Sequence, residues 1–132
     1  MQLQAGVTGR IRSGVTATVH YTHGPRFAAV EITSLAFLEN VEPVLREIEQ
    51  HTRRHGDRRL LINLIDVVGT FGPEQQREIG MLAFRHLSHL EKVASLVPPD
   101  KITRVSEGAA QAEGLQLRVF TQLADAIEWL LG

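Results

Sequence analysis

The chain has 132 residues, 43% of them hydrophobic, 22% charged and none cysteine, with a formal net charge of -1 at neutral pH. It is long enough to bury a core without disulfides or metal, and too apolar for disorder. The charge balance gives no electrostatic case for nucleic acid, and the missing cysteines exclude a disulfide framework, thiolate catalysis and thiolate-ligated zinc or iron–sulfur clusters.

Residues 1–14 read as a polar, glycine-rich N-terminal segment, mobile or lying along an edge, and 15–132 as a single domain. No apolar stretch approaches a membrane span and Met1–Gly14 lacks the apolar core of a signal peptide, so a cytoplasmic protein is expected. Val15–Tyr21 is β-branched and alternating, and Arg26–Ile32 follows a turn at Gly24-Pro25, which together predict a hairpin. From Leu38 the period changes: Leu38, Val41, Val44, Leu45 and Ile48 recur at helical spacing, with Glu42–Arg46 and Glu49–Arg53 as i,i+4 pairs outside. Asn40 is placed to cap this helix, Pro43 lies in its first turn and Gly56 stops it.

The stretch Arg58–Thr70 is apolar on both alternating faces and predicts a strand covered on both sides, at the centre of a mostly parallel sheet. The loop Asp66–Pro73 leaves its carboxyl end, where α/β sheets usually dock ligands and partners. Gly72-Pro73-Glu74 then opens a helix with Ile79, Leu82, Ala83, Leu87 and Leu90 on one face. Lys92–Val97 predicts a strand, Pro98-Pro99-Asp100 a third helix ending at Gly114, and Leu115–Phe120 the last strand. Thr121 is expected to cap a final helix with Leu123, Ile127 and Leu130 on one face.

Strands alternating with helices imply βαβ units, hence an α/β sandwich with a mixed, mostly parallel sheet of about five strands and about four helices. A hairpin leading into a helix and then Leu60-Leu61-Ile62-Asn63-Leu64-Ile65-Asp66 resembles the STAS superfamily, which includes anti-sigma-factor antagonists. Glu91-Lys92-Val93-Ala94, Arg118-Val119-Phe120 and Ala124–Leu130 are similar to its SpoIIAA-like branch of small bacterial proteins. The resemblance covers roughly Val15 to Leu131 and implies a regulatory, non-catalytic domain. In the antagonists, an Asp-Ser-Ser-Gly-type loop is phosphorylated. Here Gly69-Thr70-Phe71-Gly72 departs from that motif, and Thr70 is the only nearby hydroxyl. Thr70 therefore reads first as a cap or turn residue, with a relocated phosphosite as the sharper alternative.

Asp66, Thr70, Phe71 and Pro73 are the candidate interaction loop. Asp66 stands without a second carboxylate close in sequence and reads as a turn former. Arg53, Arg54, Arg58 and Arg59 cluster around Gly56-Asp57 as candidate anion-binding groups, with a solvated helix end flanked by Glu49 and Asp57 as the plainer reading. His51 and His55 (i,i+4) and His86 and His89 (i,i+3) could each offer two metal ligands from one helix face. No third or fourth ligand is identifiable, and Thr52 stands where a zincin helix needs glutamate, so no metal or cofactor is assigned. No phosphate-binding loop, nucleophile elbow or acid–base pair is present, so no catalytic residue is named.

The first function expected is a protein-interaction module using the Asp66–Pro73 loop to contact a protein partner. The alternative is a carrier of a small hydrophobic ligand or lipid of SEC14-like (CRAL-TRIO) type, for which so short a chain leaves little volume beyond its core. Val15–His20 is expected at a sheet edge, where it could pair across a two-fold axis as a homodimer.

Overall fold

Alternation in the strands and 3.6-residue periodicity in the helices decide which residues face inward, and the computed structural model, which describes residues 4–12 and 16–132, shows where those faces meet. The elements run β1 (Gln4–Arg12), β2 (Thr16–His23), β3 (Ala28–Leu35), α1 (Val41–His55), β4 (Arg59–Asn63), β5 (Val67–Val68) and α2 (Pro73–Leu87). They continue with β6 (Lys92–Leu96), α3 (Val105–Ala112), β7 (Leu117–Phe120) and α4 (Leu123–Leu131). The sheet order is β1-β2-β3-β4-β6-β7, with the short β5 pairing on β3. The β1–β2 and β2–β3 pairs are antiparallel, whereas the β3–β4, β4–β6, β6–β7 and β3–β5 pairs are parallel.

The expected mixed, mostly parallel α/β sandwich with four helices is what forms, with more strands than the five anticipated. One extra strand is β5. The other is β1, inside the stretch read as a polar N-terminal segment, and its register shift between Ala5 and Thr8 falls beside Gly6. Glycine weakens the strand signal while permitting such a bulge. Because β1 pairs with β2, the strand expected at the edge is flanked on both sides and offers no free edge for a dimer.

Two cores result. On one face, Val19, Tyr21, Val30, Ile32, Leu60, Ile62 and Val93 meet Val44, Leu45 and Ile48 of α1, Ala83 and Leu87 of α2 and Ala110 of α3. On the other, Phe27, Leu61, Ala94 and Leu96 meet Ala126 and Leu130 of α4. Each apolar side chain fully buried this way contributes about 1.5–3 kcal/mol, so the faces are held mainly by area rather than by polar contacts. The carbonyl end of α4 is closed from the sheet side: Arg59 donates to Leu130 O at 2.5 Å and Lys92 Nζ to Trp129 O at 2.9 Å. Cations there complement the helix dipole.

Helix ends correct several expectations. Gly56 stops α1 as anticipated, in the left-handed conformation at φ 67°. Asn40 precedes α1 but makes no side-chain cap, and its amide donates instead to Ser34 Oγ at 3.2 Å. Pro98-Pro99-Asp100 does not open the third helix: Pro99–Lys101 is a 3-10 turn, and α3 starts only after Arg104, itself left-handed at φ 63°. The final strand is shorter than Leu115–Phe120, and Gln122 rather than Thr121 occupies the cap position of α4, without a side-chain bond. α2 packs against α3 at Gly80, where an added Cβ would stand 2.5 Å from Ser106 O and 2.7 Å from Ala109 Cβ.

Candidate functional site

The parallel strands β3, β4 and β6 deliver their carboxyl ends to one edge of the molecule, between α1 on one side and α2 and α3 on the other. There this helix layer does not close over its face of the sheet, leaving a cavity of about 460 Å³. Its floor includes Ile62, Ser95 and Val119 from the sheet, and its walls include Val44 and Ile48 of α1 and Ile79 and Ala83 of α2. These are the residues whose periodicity marks a core, so the same apolar stripe both packs the domain and lines the void.

The mouth is more polar. Phe37, Thr70, Phe71, Lys101 and Arg104 reach it from the surrounding loops. Lys101 Nζ donates to Val67 O at 2.8 Å, holding the loop after β6 against β5. Gln76 Nε2 donates to Phe71 O at 2.9 Å, and Thr103 hydrogen-bonds Gln76 Oε1, tying the Phe71 segment to the start of α2 and to the approach to α3. Arg104 is turned back onto Glu107 at 3.0 Å and Val119 O at 3.3 Å. Glu107, 9% exposed, also accepts the Val119 N–H at 2.7 Å, so its charge is fully engaged in anchoring α3 to β7. Around the mouth and the neighbouring loop, Leu35, Phe37, Ile65 and Val68 are exposed.

The interaction loop therefore divides. Thr70 and Phe71 line the cavity mouth, whereas Asp66 lies exposed in the turn between β4 and β5. Pro73 is the first residue of α2. The expected capping role of Thr70 is not observed: Gly72 is the cap residue, and its N–H donates to Gln75 Oε1 at 3.0 Å.

The four arginines are not brought together as an anion site. Arg53 faces Glu49 at 3.0 Å, Arg58 faces Glu91 at 3.1 Å, and Arg59 closes the end of α4 with Glu91 at 3.7 Å; Arg54 is exposed. Asp57, expected as an arginine counter-charge, stands instead beside His23.

The histidines separate into two settings. His86 of α2, 8% exposed, lies between two carboxylates of α1, with Nδ1 at 2.8 Å from Glu49 Oε1 and Nε2 at 3.0 Å from Glu42 Oε2. The hydrogen bond to His86 holds both carboxyls below their ordinary range, with burial opposing it. His89 does not share a site with His86; its Nε2 meets Thr52 Oγ1 at 2.8 Å, and burial pushes its pKa down. At the far end of α1, His51 and His55 are joined by a residue the sequence reading did not single out, His23 of β2, with the ligand atoms of all three within 4.8 Å of one another. Strand alternation carries a usable signal for it, since His23 shares the inward face of Val19 and Tyr21 that meets α1.

Among the described residues, no helix is long and apolar enough to cross a membrane. Residues 27–131 match a family model described as SpoIIAA-like. No curated protein matches the chain. The family match begins at Phe27, so β1, β2 and His23 precede it.

Proposed function

The chain belongs to the SpoIIAA-like family, a group of generally non-enzymatic binding modules of regulatory type, and from that premise we propose that it binds a small hydrophobic molecule in the cavity between α1 and α2. The observation that carries this reading is the cavity itself: about 460 Å³ of space lined mainly by aliphatic side chains. Interiors normally pack to crystal-like density, so a void of this size within the apolar stripe leaves contacts that only an occupant restores. The volume falls within the range of small-molecule sites, and apolar walls beneath a polar mouth suit a molecule with an apolar body and one polar end. A short chain leaves room for such a molecule because α1, α2 and the approach to α3 do not close over the carboxyl ends of the strands, so the core need not fill that edge.

A fluorescent fatty acid titrated into the full chain tests this reading. Saturable binding is expected, and Ala83→Phe, which fills the cavity from α2, is expected to abolish binding while leaving the fold intact by circular dichroism. No saturable binding to the unaltered chain, or equal binding by both proteins, would count against the cavity.

A second reading rests on a different observation, the exposed Leu35, Phe37, Ile65 and Val68 beside the same mouth. Apolar side chains grouped there suit a protein partner whose contact senses whether the cavity is filled. Phe71→Asp is expected to weaken capture of that partner; unaltered capture would remove the loop from the contact.

A further inference from the structure

At the edge opposite the cavity, where β2 ends beside the amino ends of β3 and β4, His23, His51 and His55 face one another. We propose that these three side chains bind one divalent transition-metal ion of the zinc class, through the Nε2 atom of each ring with the fourth position open to solvent.

The chemistry of each ring points the same way. His55 Nδ1 lies 2.9 Å from His51 O, a carbonyl in the last turns of α1, which fixes that nitrogen as donor and leaves Nε2 as a lone pair. His23 Nδ1 lies 3.0 Å from Asp57 Oδ2, close enough for an ion pair but out of line for a hydrogen bond. A modest rotation of the His23 ring turns this contact into the carboxylate–imidazole pair that typically backs a metal-bound histidine. The Nε2 atoms of His23 and His51 are buried without a hydrogen-bond partner. Burying such groups unpaired costs free energy, and native structures usually supply a partner.

Packing supports the same assignment. The His23 and His55 rings stack at 4.0 Å between centroids, and Tyr21 stacks on His51 at 3.9 Å, fixing its plane. In a tetrahedral site with bonds near 2.05 Å, donor nitrogens stand roughly 3.3 Å apart. The present spacing of up to 4.8 Å closes to that by small rotations of the exposed His55 ring about its hydrogen bond to His51 O and of the His23 ring toward Asp57. The carbonyl end of α1 adds partial negative charge, and Asp57 adds a full one. Arg54 opposes them, but it is exposed and its field is screened. No thiolate is present, so the donor set is purely imidazole, which suits zinc, copper, nickel or iron rather than magnesium or calcium.

The test uses full-length, untagged, chelator-stripped protein titrated with Zn²⁺ by calorimetry and with Co²⁺ by visible absorption. One equivalent is expected to bind, with intense d–d bands of a four-coordinate ion and a rise in thermal midpoint. His23→Gln and His55→Gln are each expected to lower Zn²⁺ affinity by at least about 100-fold, and Asp57→Asn by about 10- to 100-fold. His20→Gln, on the opposite face of β2, is expected to leave affinity unchanged. Because His55 is exposed, its variant retains the fold, which the metal-free circular dichroism spectrum verifies. Absence of binding in several-fold excess, or affinity indifferent to both His23→Gln and His55→Gln, would overturn the site.

Discussion

His86 of α2 and His51 of α1 are equally buried, each 8% exposed, yet their surroundings are opposite. His86 lies between Glu42 and Glu49 in a seam where each ring nitrogen has a carboxylate. His51 lies among two other imidazoles and a tyrosine ring, and its Nε2 has no partner. The first is a histidine whose burial is compensated by charge and hydrogen bonds; the second is one whose burial is not. A buried histidine therefore carries no meaning until its partners are counted: α1 offers carboxylates to His86 along the seam and carries His51 toward a ligand site at its end.

Acid should separate the two settings most strongly. For His51 and His89 the folded pKa is lowered, so as pH falls below 6.5, for His51 down to about 4, the unfolded chain binds more protons and stability is lost as pH falls. His51 alone contributes at most about 3 kcal/mol to that fall in metal-free protein. Glu42 and Glu49 are also lowered, so the stability they contribute is present above their ordinary value near 4.5 and is lost as pH falls further through the folded values. Urea denaturation across pH should show both windows. In His51→Phe the upper one should shrink to the His89 contribution while the lower one stays. A stability flat from pH 7 to 4.5 would contradict the contrast.

Removing the seam histidine should come next in size. His86→Ala leaves Glu49 Oε1 without its partner from α2, Arg53 still serving Oε2, and opens space in the seam, at an expected cost of about 2 kcal/mol read as a lowered urea midpoint. An unchanged midpoint would mean that solvent satisfies Glu49 as well as the ring does. Gly80→Ala pits two effects against each other. Alanine recovers about 1 kcal/mol of helix propensity, but its Cβ meets a backbone carbonyl at 2.5 Å that no rotamer can relieve. Overpacking of about 1–3 kcal/mol should win, giving a net loss in thermal midpoint. Tyr21→Phe should have the smallest effect. The Tyr21 hydroxyl is buried without a hydrogen-bond partner, and burial pushes its pKa up, so its removal should change stability by less than about 0.5 kcal/mol or raise it. A loss above 1 kcal/mol by thermal melting would reveal a partner for that hydroxyl.

The architecture was readable because the strongest signals were local. The heptad-like stripe of α1, the left-handed stop at Gly56 and the doubly apolar Leu60–Ile62 each depend on neighbours within a few residues. β1 escaped because Gly6 and Gly9 dilute strand propensity, and its place is set by pairing with β2 rather than by its own pattern. The start of α3 escaped because the turn at Pro99–Lys101 and the left-handed Arg104 postpone it, against the usual reading of proline as helix entry. The His51–His55 pair was visible as a spacing, but its third member lies on another strand, and only the β2–β3 register and the docking of α1 bring it near. The cavity was invisible for another reason: Val44, Ile48, Ile79 and Ala83 look the same in sequence whether they fill space or surround it.

The most direct test of the central claim, that the edge between α1 and α2 holds a hydrophobic molecule, is mass spectrometry of the untagged protein from its own host, compared under native and denaturing conditions. The account predicts an excess mass of a few hundred daltons in the native spectrum that disappears on denaturation and extracts into organic solvent. Protein that is empty in both spectra, and that takes up no fatty acid afterwards, would contradict it.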